Sequence, residues 1–391
     1  MRAHAGAERV QHYGCRALGS LCINDAIRVK VGELGGTEAV VAGMRAHAGV
    51  EKVQEEGCVA LGSLLVNPDN KGAAIEAVLA GMRAHAGAEE VQEAGFGALC
   101  NFCHTDDAIR VEVAGKSISI EAVLAAMRAH ADLEEVQFQG CWVLQYLCRR
   151  LGNVNSVTVA DLGGIEAVVA GMRAHAGAAR VQKTGCEALG RLCDNEAVRV
   201  KVAELGGIEA VVAGMRAHAG ISGVQQVGCC ALRTVSRNDA IRVKISGLGG
   251  IEAVVAGMRA HEGVFGVQMW GCNVLSSLCG NDAVRVKVVE LGGIEVVLAG
   301  MRAHAGISGV HEEGCKVLRQ LCDRNDDNQV KVGECGGIEA VVAGMRAHAG
   351  VEMVQQEGCA ALGRLWVNQD NKGAAIEAVL AGMRAHKGAT K

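Results

Sequence analysis

The chain has 391 residues, half of them apolar, but only nine aromatic side chains and one proline against 54 glycines. Its interior must therefore be small and aliphatic, with glycine rather than proline punctuating the elements. A net charge of −4 argues against binding driven by nucleic-acid phosphates, which needs a concentrated basic face.

The string Met-Arg-Ala-His starts at Met1, Met44, Met82, Met127, Met172, Met215, Met258, Met301, Met345 and Met383, at separations of 43, 38, 45, 45, 43, 43, 43, 44 and 38 residues. A period of about 40 to 47 residues belongs to helical solenoids, in which each repeat touches only its neighbours. Residues 1–391 thus read as one array of about nine repeats of three helices, with long helices starting near 7, 50, 88, 132, 178, 221, 264, 307 and 351.

One unit, Ala178 to Gly220, shows the plan. Val181, Gly185, Cys186, Ala188, Leu189, Leu192 and Cys193 recur at the spacing of a long helix with one buried face. Asn195 can cap a short helix running to Leu205. Gly206-Gly207 breaks it, a third helix runs from Ile208 to His218, and Gly220 reads as its left-handed cap. His218 falls in the last turn, where a cation would suit the helix dipole. Residues 67–82 and 368–383 are shortened repeats that lack Gly-Gly, so the short helix there should shrink or fuse with the next one. Lys116 to Ser119 replaces Gly-Gly in one unit, and Arg149 to Asn155 should extend a loop in another.

These residues resemble armadillo repeats. Gly163-Gly164-Ile165-Glu166-Ala167-Val168-Val169 is similar to the start of that family's second helix, Val53 to Leu64 to its third, and Asn67-Pro68-Asp69-Asn70 to its inter-repeat link. The resemblance implies an all-α fold, a right-handed α-solenoid superhelix whose third helices line a concave groove for extended peptides. In the nuclear-import and adhesion branches of the family, Trp and Asn recur four residues apart on that helix. Here only Trp142 and Asn101 match, on different repeats, so a receptor for nuclear-localisation signals is not expected.

Within the chain the Gly-Gly helix barely varies, whereas the long helix changes along one stripe at four-residue spacing, the signature of a shared helical face. A repeated scaffold beside a diversified stripe is what a recognition surface looks like. Phe138, Trp142 and Tyr146 lie on one such stripe, and aromatic side chains of this kind serve as binding hot spots. Lys183, Glu187 and Arg191 occupy it in the next repeat; Asn101, Thr234, Asn273, Ser277, Lys316 and Gln320 occupy it elsewhere. These twelve are the candidate peptide-binding residues, for a protein or peptide segment with an apolar anchor and acidic neighbours.

Cys100-Asn101-Phe102-Cys103-His104 has the C-x-x-C-H form of c-type haem attachment, and zinc is a second possibility for it. Against both, Cys103 fills the place of Cys22, Cys148, Cys193, Cys279 and Cys322 in other copies, so it reads as a core thiol and no cofactor or metal is expected. The Met-Arg-Ala-His histidines stand a repeat apart with no recurring nucleophile, so no catalysis is expected of them. The basic pairs of the short helices, such as Arg242 and Lys244, read as a solvated ridge.

No run of roughly 18 apolar residues suggests a membrane span, and Met1 opens into repeat sequence rather than a signal peptide. Seventeen cysteines without a secretory signal fit a reducing compartment, so the cytoplasm is expected, with the nucleus left open. The expected function is a non-catalytic scaffold that holds a peptide or partner segment. The alternative is an assembly element that self-associates end to end or belongs to a longer array, because neither end shows a polar capping repeat.

Overall fold

A computed structural model of the chain describes residues 6–64, 70–105, 117–148, 153–365 and 372–385. Among these residues every regular element is an α-helix, and they divide into two compact units, Met1–Gly207 and Ile208–Lys391. No described helix is long and apolar enough to cross a membrane.

In the first unit the long helices Glu8–Leu21, Glu51–Ser63, Glu89–Thr105, Glu134–Leu147 and Ala179–Leu192 pack one against the next in chain order. Helices Gly36–Ala46, Lys71–Ala84, Ser117–Ala129 and Gly164–Ala174 form a second ladder behind them. The second unit repeats the pattern, with long helices Ser222–Val235, Phe265–Leu278, Ser308–Leu321 and Glu352–Leu362. Its Gly-Gly helices include Gly207–Ala217, Gly250–Ala260, Gly293–Ala303 and Gly337–Ala347. In each shortened repeat the described residues hold a single helix, Lys71–Ala84 or Lys372–Ala385, before the Met-Arg-Ala-His tail ends. The loop read at Arg149 to Asn155 is shorter than expected: Asn153 is already helical, and residues 149–152 lie outside the described ones.

Local chemistry explains the boundaries. Asn24, Asn195, Asn238, Asn281 and Asn325 each open a short helix by accepting the N–H three residues on, a cap that stabilises by about 1 kcal/mol. The two glycines of each pair have different reasons. Gly206 has φ +85°, a left-handed backbone, whereas a Cβ on Gly207 would meet the Val202 Cγ1 at 2.6 Å and its carbonyl oxygen at 2.8 Å. The left-handed cap read at Gly220 does not form, since the glycines with positive φ are the first of each pair. The third helix instead ends at Ala217, and the Ile221 N–H donates to the His218 carbonyl at 2.9 Å, which closes the turn without a left-handed residue.

Met, Arg and His of the repeated tail each reach a neighbouring repeat in several copies. Met172 packs on Gly185 of the following long helix, where a Cβ would stand 2.5 Å from its Cγ. Arg128, Arg216, Arg259 and Arg302 donate to the carbonyls that end the next short helix, for example Arg302 Nη2 to Cys335 O at 2.9 Å. His85, His130, His175, His261 and His304 place Nε2 at 2.7 to 2.9 Å from a carbonyl in the turn of the previous repeat. A carbonyl only accepts, so Nε2 carries the proton.

A second ladder runs through the buried glutamines of the Val-Gln pairs. Gln182 Nε2 donates to Met172 O at 2.7 Å and His175 O at 3.0 Å, and Gln54, Gln92, Gln137, Gln225, Gln268 and Gln355 repeat both bonds. These carbonyls are the orphans of a helix C-terminus, and buried they need a donor. At one place the ladder is broken: His311 stands where the others have Gln, and both its ring nitrogens are buried without a partner among the described residues.

Candidate binding surface

The long-helix stripes stand half in solvent. On helix Glu134–Leu147 the core is filled by Val136, Gly140, Cys141, Val143, Leu144 and Leu147, which leaves Phe138, Trp142 and Tyr146 half-buried beside it. Trp142 and Tyr146 stack with ring centroids 4.0 Å apart and planes inclined by 26°. His104 joins them edge-on, at 6.3 Å from Trp142 and 6.1 Å from Tyr146. Successive stripe positions thus give a stacked pair, and the neighbouring long helix supplies a third ring.

The row differs in charge from end to end. At the Phe138 end the Arg180 guanidinium lies 5.1 Å from the ring centroid while it also pairs with Glu134 and Glu135. Burial first, and then the nearby Glu135, hold the Glu93 carboxyl above its usual range. In the next repeat Lys183 and Arg191 are exposed and Glu187 is half-buried between them. Asn101 is exposed, and its amide donates to Gly62 O at 3.2 Å.

The Cys100 to His104 string is continuous helix. Phe102 and Cys103 turn into the core, and burial raises the Cys100 thiol above its ordinary range. Among the described residues no group of three His, Cys, Asp or Glu side chains converges as metal ligands would. Other long-helix thiols are core atoms too, with burial pushing Cys141 and Cys193 up to about 12, so they stay protonated and pack as small hydrophobes.

In the second unit the structure brings Asn273, Ser277 and Lys316 together and sets Thr234 and Gln320 apart. The Thr234 hydroxyl is spent on its own helix, donating to Cys230 O at 2.6 Å, and the Gln320 Oε1 is buried without a partner among the described residues. Asn273, Ser277 and Lys316 line a cavity of about 320 Å³ with Arg233, Arg237 and Arg242. The three arginines escaped the stripe pattern: Arg233 is one residue off it, Arg237 lies past the helix end, and Arg242 belongs to the next short helix. A clue was present in the run Arg233 to Arg242, where three arginines fall within ten residues.

The basic ridge of the short helices is anchored rather than simply solvated. Arg28, Arg199, Arg242 and Arg285 donate to the carbonyls at the end of the preceding long helix, at 3.1 to 3.2 Å. Lys244 and Lys287 pair with Glu209 and Glu252 of the previous Gly-Gly helix. A further cavity, about 480 Å³, lies between Met44, Arg45, Glu76 and Arg83, away from the stripes, beside the helix of a shortened repeat.

Residues 73–246 match the family model described as LRRK2 ARM repeat. No curated protein sequence matches the chain. Solved structures do. One, from work on a phosphorylation switch that controls the interaction between cadherin and β-catenin, has a TM-score of 0.66 at 16% identity, covering 93% of this chain and 71% of that one. Another, the crystal structure of an engineered protein, has a TM-score of 0.54 at 19% identity, covering 67% of this chain and 97% of that one. The helix ladders, the family match over residues 73–246 and these folds agree on an all-α fold that resembles the armadillo solenoids.

Proposed function

We propose that this protein is a non-catalytic scaffold that holds an extended peptide or partner segment along its long-helix stripes. The observation that carries the reading is the Trp142–Tyr146 stack, two large rings half in solvent on a helix whose core face is already filled. Rings held in place this way bury much area on binding and lose little side-chain entropy, which is why they dominate interfaces. A partner with an apolar anchor covers the stack. Its acidic residues belong at the Tyr146 end, facing Arg191, because Glu134 and Glu135 already surround Phe138 and Arg180. The fold supports the coarser statement, since armadillo solenoids typically serve as protein-interaction scaffolds.

The test is a peptide-display selection against the whole chain. Selected peptides should share an apolar anchor, and Trp142→Ala should weaken them by about tenfold or more, roughly 1.4 kcal/mol. Unchanged affinity in that variant contradicts the placement.

One observation favours a second reading, self-association. Tyr13 is 60% exposed, Ile23 76% and Leu34 72%, while Met383 of the other unit is 65% exposed. Sedimentation over a concentration series separates the two readings: a monomer throughout supports the scaffold, and growing species support assembly.

A further inference from the structure

We propose that the second unit carries a site for a phosphate monoester, borne as phosphoserine or phosphothreonine on the extended segment that the long-helix face holds. The site is the cavity of about 320 Å³ at which Arg233, Arg237, Arg242 and Lys316 meet. It rests on the scaffold reading for the word "peptide" and on its own geometry for the word "phosphate".

The four cations are not equivalent. Lys316 is neutralised by Glu312 at 2.6 Å and Glu313 at 3.0 Å, and Arg242 by Asp239 at 2.6 Å. Among the described residues no carboxylate pairs with Arg233 or Arg237. Two guanidinium groups without an ion-pair partner therefore meet at one cavity, where the four cations outnumber the carboxylates Asp239, Glu312 and Glu313 by one. A phosphate monoester, with about −1.5 to −2 charges near neutral pH and three acceptor oxygens, can take both of these guanidinium groups at once.

The donors are also set in advance. Arg233 Nε donates to Asn273 Oδ1 at 2.8 Å, which fixes the guanidinium plane and leaves its Nη groups available. Spending the amide oxygen on Arg233 leaves the Asn273 Nδ2 as a further donor. Arg242 is steadied by its Nε bond to Ser236 O at 3.1 Å. The wall beneath is stiffened by Ser277, whose hydroxyl lies 2.8 Å from that of Ser236 and donates to Ser236 O at 3.1 Å. A planar guanidinium held in place loses little freedom when it takes two phosphate oxygens at once, the geometry in which arginine binds most strongly.

The surroundings select the source of the phosphate. Glu312 and Glu313 flank the cavity, and the chain as a whole carries −4 charges, which disfavours a run of nucleic-acid phosphates. Three successive long helices contribute Arg233, Asn273 and Lys316. The cavity therefore opens on the face where a peptide would lie.

The test uses the full chain at about 0.15 M salt, where screening removes weak surface attraction. Titration calorimetry compares a capped phosphoserine, capped serine, inorganic phosphate and a short RNA. The expected result is saturable binding of the phosphoserine, none of the serine, and weaker binding of the other two. Arg237→Gln, on an exposed residue outside the helices, should lower phosphoserine affinity by about tenfold without loss of helical signal, and adding Arg233→Gln should abolish it. Unchanged affinity in these variants overturns the site, as does absence of phosphoserine binding by the parent. Tighter binding of inorganic phosphate or RNA overturns the peptide assignment. A selected unphosphorylated peptide supplies the control: its retention in Arg237→Gln and loss in Trp142→Ala separate a failure of this site from a failure of the scaffold reading.

Discussion

The two units are built on the same spine and present different faces. In the first, the long-helix stripe carries the stacked pair Trp142 and Tyr146, with His104 at its edge. In the second, the corresponding helices offer Asn273, Ser277 and Lys316 around a cavity edged with arginine. The Met, Arg, Gln and His of the spine recur in the same jobs in both units, with exceptions at His311, which replaces the glutamine, and at His348, whose Nε2 is buried without a partner among the described residues. Positions with a partner in the next helix are held constant by that partner, and positions that face solvent are free to diversify. What a repeat protein recognises is accordingly written where its repeats disagree.

The comparison can be broken at its shared part first. Gln182→Ala removes two bonds to buried carbonyls and should cost about 2–4 kcal/mol, read from denaturant unfolding. If it proves neutral, the glutamine ladder is not part of the spine. Gly185→Ala and Gly271→Ala, one in each unit, should each cost about 1–3 kcal/mol, because the new methyl meets Met172 or Met258. A large difference between the two would show that the spine is not shared.

The exception at His311 sharpens the comparison. His311→Gln restores the donor to the ladder and should stabilise the second unit by about 1–2 kcal/mol. Burial, with His348 nearby, pushes the His311 imidazole down to about 4 from an ordinary 6.5. The folded form therefore keeps it neutral, while the unfolded chain takes up a proton below about 6.5. Its contribution is whole above that pH and is lost as pH falls toward 4; thermal melts of His311→Gln should lack this part of the acid sensitivity. Smallest of all, Arg191→Ala should leave stability within about 0.5 kcal/mol and change only the binding of acidic peptides.

Much of the spine was legible because it repeats. The period, the Asn195 cap and the break at Gly206-Gly207 could be read from one unit and checked on the others. The role of each residue was harder to read, since a bond from His175 to the preceding turn spans 44 positions and has no local pattern. Gly220 misled for a related reason: glycine at a helix end suggests a left-handed cap, but the turn closes through the His218 carbonyl. The aromatic row was visible as a four-residue spacing. The arginines of the second unit were not, because Arg233, Arg237 and Arg242 come from a helix, the turn after it and the next helix, and only packing brings them to one cavity.

The central claim, that the constant helices build and the variable stripes bind, is tested most directly by hydrogen exchange on the full chain with and without a selected peptide. Protection should concentrate on long-helix segments such as 134–147, with the Gly-Gly helix 164–174 unchanged. Protection centred on the Gly-Gly helices, with the long helices unaffected, would contradict it.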